Sequence, residues 1–212
     1  MFNSVYTLEA FILNIFIGLV MLGLMFYALF KRRNEAAFGW IYATMISVTG
    51  FVLTYARTKY GMNEDYYQFI FILLHCNLGL AIFFASLYMV ENHTRHEYTL
   101  IFFIFNLIVS TWGYISVTGV ESLFWRLFPA AIVLSGLEVL SAAVMLISYN
   151  FKLKPAGVKA GILLLCAGLI IDGIASFGLL LTLNGMQGPL LALGLAGRLL
   201  LSGGLLVALY GE

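Results

Sequence analysis

Residues 188–210 read GPLLALGLAGRLLLSGGLLVALY. One charge, Arg198, interrupts 23 residues that are otherwise apolar, small or aromatic. A helix rises about 1.5 Å per residue and the hydrocarbon core of a bilayer is about 30 Å thick, so roughly 20 apolar residues make one crossing. The stretch therefore predicts a transmembrane helix with an arginine at its middle. An arginine at that depth costs roughly 2.5–3.5 kcal/mol on insertion scales. It needs a partner or a polar surrounding within the protein.

The rest of the chain follows the same pattern. Of 212 residues, 62% are hydrophobic and 10% charged, against about 25% charged in soluble domains. Mean hydropathy is +1.00. This predicts an integral, multi-pass protein of the cell membrane (inner or plasma membrane), with the lipid bilayer as its main partner. A net charge of +1 offers no basic field for nucleic acid. The first apolar run is too long for a signal peptide. It ends in Lys31-Arg32-Arg33, not a small-residue cleavage site. Cys76 and Cys166 each lie inside an apolar run and read as small buried hydrophobes.

A 20-residue window predicts an all-α, seven-transmembrane helix bundle forming one domain over residues 1–212. The spans fall near 7–30, 37–57, 67–90, 98–119, 124–149, 157–183 and 188–210. The loops after spans one, three and five carry Lys31, Arg32, Arg33, Arg95, Lys152, Lys154 and Lys159. Those after spans two, four and six carry only Arg57, Lys59 and Arg126. The positive-inside rule then predicts an outside N-terminus and a cytoplasmic C-terminus. In that topology the sequon-like Asn92-His93-Thr94 falls in a cytoplasmic loop and reads as chance.

Four ionisable side chains lie within spans: His75, Glu138, Asp172 and Arg198. Counting from the nearest outer span ends places all four roughly 12–20 Å deep. Positions three and four apart share a helix face. On that count Arg198 has Gly194 and Ser202 beside it, and Asp172 has Gly168 and Ser176. Glu138 has Ser135, Ser141 and Ala142, and His75 has Gly79. Small neighbours let helices approach and pair polar groups. Asn77 and Asn106 are further intramembrane polar groups that need partners.

Two readings of this polar set stand side by side. In one, Asp172 and Arg198 form an ion pair that fixes helix packing, with Glu138 held by hydroxyls or neutral. In the other, His75, Asn77, Asn106, Glu138, Asp172 and Arg198 contribute to a ligand or proton site. Two acids against one arginine require a neutral acid, a charged His75 or a cationic ligand. His93 and His96, with Glu91 and Glu97, read as a solvated loop and not as a metal site. A weak internal offset of 121 residues sets Phe30 against Phe151, Lys31 against Lys152 and Asn77 against Arg198. Such parallel repeats occur in some transporters.

The motifs of membrane chemistry are missing. A retinal Schiff base needs a lysine in the last span, where this chain has Arg198. Haem across a bundle uses paired histidines, and only His75 lies within a span. Neither H-E-x-x-H nor G-x-S-x-G occurs. Asp172 is the one aspartate within a span, against the two an intramembrane aspartyl protease needs. The expectation is a protein that is not an enzyme and has no cofactor.

Residues 27–61, YALFKRRNEAAFGWIYATMISVTGFVLTYARTKYG, resemble the opening of the seven-helix sensor regions found at the N-terminus of bacterial and archaeal histidine kinases and diguanylate cyclases. The shared features are an outside N-terminus, a basic turn after span one, a Trp early in span two and a seventh span feeding the cytoplasm. Residues 85–96, ASLYMVENHTRH, fit the same pattern. The resemblance implies a sensory input module for a small hydrophobic or amphipathic ligand, or for a membrane property. Its partner would be a cytoplasmic output domain or a separate protein, and it could oligomerise. The alternatives are a proton-coupled small-solute transporter or channel, and a packing subunit of a membrane complex.

Overall fold

The computed structural model describes residues 4–32, 36–91, 104–105, 107–108, 111, 123–181 and 187–211. Among them the chain is all-helical. Its elements are α1 (Ser4–Arg32), α2 (Ala36–Tyr60), α3 (Glu64–Glu91), α4 (Leu123–Ile147), α5 (Tyr149–Leu153), α6 (Ala156–Leu181) and α7 (Gln187–Tyr210). Five stretches are long and apolar enough to cross a membrane: Ile12–Lys31, Ala37–Tyr60, Tyr66–Val90, Ala156–Gly178 and Ala192–Tyr210. A shorter apolar stretch, Ile132–Ile147, lies in α4. This is a multi-pass α-helical membrane protein. The expected span 98–119 lies largely outside the described residues, although Ile104, Phe105, Leu107, Ile108 and Thr111 are helical.

Local chemistry sets the breaks. Between α2 and α3 the chain reverses at Gly61, whose φ of 75° is left-handed and suits a residue without Cβ. Its N–H donates to Arg57 O at 3.1 Å, closing α2. Asn63 then opens α3: its Oδ1 accepts from Tyr66 N at 3.3 Å, the bond of an N-cap. The fifth span was expected to run to residue 149, but α4 stops at Ile147. Ser148 turns extended (ψ 131°) and a one-turn α5 follows. Lys154, also extended at ψ 151°, precedes Pro155, which disfavours helix in the residue before it.

Neighbours in sequence pack as neighbours in space. α1 lies on α2, α2 on α3, α3 on α4, α4 on α6 and α6 on α7, and α7 returns to touch α1. Large side chains face outward, including Phe16 and Phe30 of α1 and Phe38 and Met45 of α2. In water such a surface would drive aggregation; in lipid it is the solvated face. Trp40, Met25, Met145, Leu165 and Leu205 fill the interior. Cys76 and Cys166 are buried free thiols, and Cys166 Sγ donates to Ala142 O at 3.7 Å.

The α6–α7 pair is the tightest. A Cβ on Gly161 or Gly168 would strike the backbone of α7 at Ala208 and Leu201. One on Gly197 would sit 2.7 Å from Asp172 N, and one on Gly204 would meet Leu165 N and Gly161 O. Gly161 and Gly168 are seven residues apart, as are Gly197 and Gly204. Two turns of helix nearly match seven residues, so each pair keeps to one face. Lipid gives helices no hydrophobic reason to associate, so close van der Waals approach has to supply it.

The α1–α7 seam is made differently. Tyr210 Oη donates to Leu24 O at 2.6 Å, and the Tyr210 ring stacks on Tyr27 with centroids 6.3 Å apart. Tyr210→Phe keeps the ring and loses the hydroxyl. Thermal melts in lipid are expected to show a loss of about 0.5–1 kcal/mol, the ordinary worth of one intramembrane hydrogen bond.

Candidate functional site

Arg198 sits at the middle of α7, and Asp172 and Glu138 within about one turn of the middles of α6 and α4. The three come together. Arg198 Nε donates to Asp172 Oδ1 at 3.2 Å. The guanidinium lies over the Phe51 ring, with Cζ 4.2 Å from the centroid. That is a cation–π contact from α2, which desolvation strengthens. Gly194 performs the service its spacing suggests: the site of a Cβ there lies 3.7 Å from Asp172 Oδ1. Gly168 serves the α6–α7 contact instead.

Glu138 is 1% exposed and carries a buried Oε2 with no hydrogen-bond partner. It lies beside Asp172, close enough for the two carboxyls to interact. Gly173 makes room for it, since a Cβ at that position would stand 3.2 Å from Oε2. Ser135, Ser141 and Ala142 are buried on the same helix, as the spacing predicts. The hydroxyls do not hold the acid: Ser141 Oγ donates to Leu137 O, and Ser135 Oγ has no partner.

These side chains line a half-open cavity of about 80 Å³ between six helices. That is room for a few waters or one small organic group. Its polar wall is Asn14 of α1, Trp40, Thr44 and Ser47 of α2, Glu138, Asp172, Arg198 and Ser202. Met21, Phe51, Leu78, Ile82 and Leu205 contribute apolar wall. Trp40 is 1% exposed, and its indole Nε1 has no hydrogen-bond partner.

His75 is not among the residues that line the cavity, but it lies close enough to Arg198 for their charges to interact; its Nδ1 is 2.8 Å from Phe71 O and its ring packs on Phe71 at 3.7 Å. Asn77 bonds back to Leu73 O at 2.7 Å. The Gly79 expected to flank His75 instead admits α4, whose Leu134 Cα would stand 3.1 Å from a Cβ there. Asn106 and the His93–His96 loop lie outside the described residues. No group of three metal-ligating side chains occurs among the described residues. Of the residues that the 121-residue offset pairs, Phe30 lies in the last turn of the long α1 and Phe151 in the separate, short α5, and Asn77 is not among the residues that line the wall with Arg198.

Asn14, Trp40, Thr44, Ser47 and Phe51 belong to the site but were not legible as such. Polar residues of modest size occur in every span, and a tryptophan near a span end reads as an interface anchor. Only the packing of α1 on α2 and of α2 on α3 turns them inward. Comparison with known protein families, characterised proteins and solved structures finds no match.

Proposed function

We propose that this chain is a membrane-embedded sensory input module whose mid-helix cavity receives a small ligand. It acts by binding and not by catalysis. The observation that carries the reading is that two residues lining the cavity hold buried polar atoms without hydrogen-bond partners, Trp40 Nε1 on α2 and Glu138 Oε2 on α4. Buried polar atoms are nearly always hydrogen-bonded, so a bundle that only packs has no use for two such atoms on residues that line a cavity. An occupant that bridges them joins α2 to α4. Glu138 also touches the Asp172–Arg198 pair, so a change at the acid reaches α7 through Arg198. A small shift of one packed helix past another is how bundles convert binding into a signal. α7 then delivers it to a cytoplasmic output domain or partner protein.

One second reading has an observation of its own. The acid in excess of Arg198 suits proton-coupled transport of a small solute. Proteoliposomes separate the two. The sensory reading expects saturable binding with no solute flux under a pH gradient. A pH-driven flux that Glu138→Gln abolishes would replace it with transport.

A further inference from the structure

We infer that the cavity is built for a small protonated amine that also carries a hydroxyl. The inference rests on the ligand-binding reading above and names the chemistry of its occupant. Arg198 is already committed: Asp172 faces it at 3.2 Å and Phe51 covers it at 4.2 Å. That leaves the carboxyl of Glu138, 1% exposed, with an unpartnered Oε2 and no second guanidinium or ammonium on the wall. Two carboxyls, Glu138 and Asp172, therefore share one guanidinium, and a buried acid in excess of its counter-charge is costly and calls for a cation that donates hydrogen bonds. An ammonium does both. The second unpartnered atom on a lining residue, unlike Ser135 Oγ, which is off the wall, has the opposite need. Trp40 Nε1 can only donate, so its partner must accept. A hydroxyl oxygen next to the ammonium supplies that acceptor. The apolar wall of Met21, Leu78, Ile82 and Leu205 suits the short carbon link between them. A volume of about 80 Å³ suits a molecule of a few heavy atoms.

The test uses three probes of similar size on the full chain in nanodiscs. The nanodiscs are made of phosphatidylcholine and phosphatidylglycerol, so that no lipid headgroup carries a primary amine. Ethanolamine has both groups, ethylamine lacks the hydroxyl and ethanol lacks the charge. Isothermal titration and ligand-induced thermal stabilisation read the binding. Ethanolamine is expected to bind about tenfold more tightly than ethylamine, the worth of one hydrogen bond to a buried donor. Ethanol is expected to bind on the order of a hundredfold more weakly than ethanolamine. Trp40→Phe is expected to abolish the difference between the two amines. Glu138→Gln, which keeps the shape and removes the charge, is expected to lose amine binding while its melt and helical circular dichroism show a folded protein. If ethanol binds as well as ethanolamine and Trp40→Phe weakens both, the cavity is a ligand site but the amine assignment is wrong. If no probe binds the folded protein, the amine assignment fails; if a broad panel of neutral and acidic small molecules also fails, the sensory reading falls with it.

Discussion

Gly204→Ala is expected to break the α6–α7 pair, while Gly203→Ala, one residue away, is expected to be neutral or stabilising by up to about 1 kcal/mol. The two glycines are neighbours in the stretch that first marks the last span, and sequence cannot tell them apart. The structure can. Nothing lies within 4 Å of a Cβ on Gly203. That substitution gains helix propensity and meets no neighbour. A Cβ on Gly204 lands against Leu165 N, and stands 2.8 Å from both Gly161 O and Leu164 C. All three are backbone atoms, so no rotamer change relieves the clash. The helices must separate along a face that Gly161, Gly168 and Gly197 also depend on. Overpacking of this kind costs about 1–3 kcal/mol in soluble cores, and a backbone-to-backbone clash belongs at or above the upper end. Steric trapping or detergent titration in lipid bicelles reads the difference. Equal stabilities for the two alanine variants would mean that α6 and α7 do not meet along this face.

That comparison shows where sequence reading reaches its limit. Helix positions come from length and apolarity, which the bilayer imposes on each segment separately. Hence the ranges expected for spans one, two, three, six and seven differ from the observed helices by only a few residues. The encounter of Asp172 with Arg198 was legible for the same reason: few charges lie at that depth, and each has to find another. Which face a helix turns inward depends on its neighbours, and spacing carries that only for residues with no alternative. Arg198 had none. His75 did, because a histidine can bond to its own helix at Phe71 O, and so can Asn77 at Leu73 O. Trp40 was hidden by the opposite ambiguity, since an indole suits both an interface and a core.

Removing Arg198 separates the two roles that its neighbourhood combines. In Arg198→Met, Asp172 and Glu138 remain side by side with no cation between them. Taking one partner from a buried ion pair typically costs about 3–5 kcal/mol, because the charge left behind is uncompensated. The same loss is expected here. Asp172→Asn is expected to cost less, about 1.5–3 kcal/mol, since the amide oxygen still accepts from Arg198 Nε and Phe51 still covers the guanidinium. The double variant removes one charge of each sign and leaves the net charge of the layer unchanged. It is expected to recover most of the loss, because a buried pair replaced as a unit is often close to neutral. A double-mutant cycle in lipid measures this as a favourable coupling between the two sites. Ethanolamine binding then divides the cluster. If Glu138 anchors the amine and the Asp172–Arg198 pair only locks α6 to α7, the double variant binds ethanolamine within a few-fold of the parent. If binding disappears in a double variant of restored stability, Asp172 or Arg198 belongs to the site itself. Adding Glu138→Gln to Arg198→Met supplies the last step. It removes the repulsion between the acids, so stability is expected to rise while amine binding is absent. That combination would place the cost of the cavity in the same carboxyl that gives it a ligand.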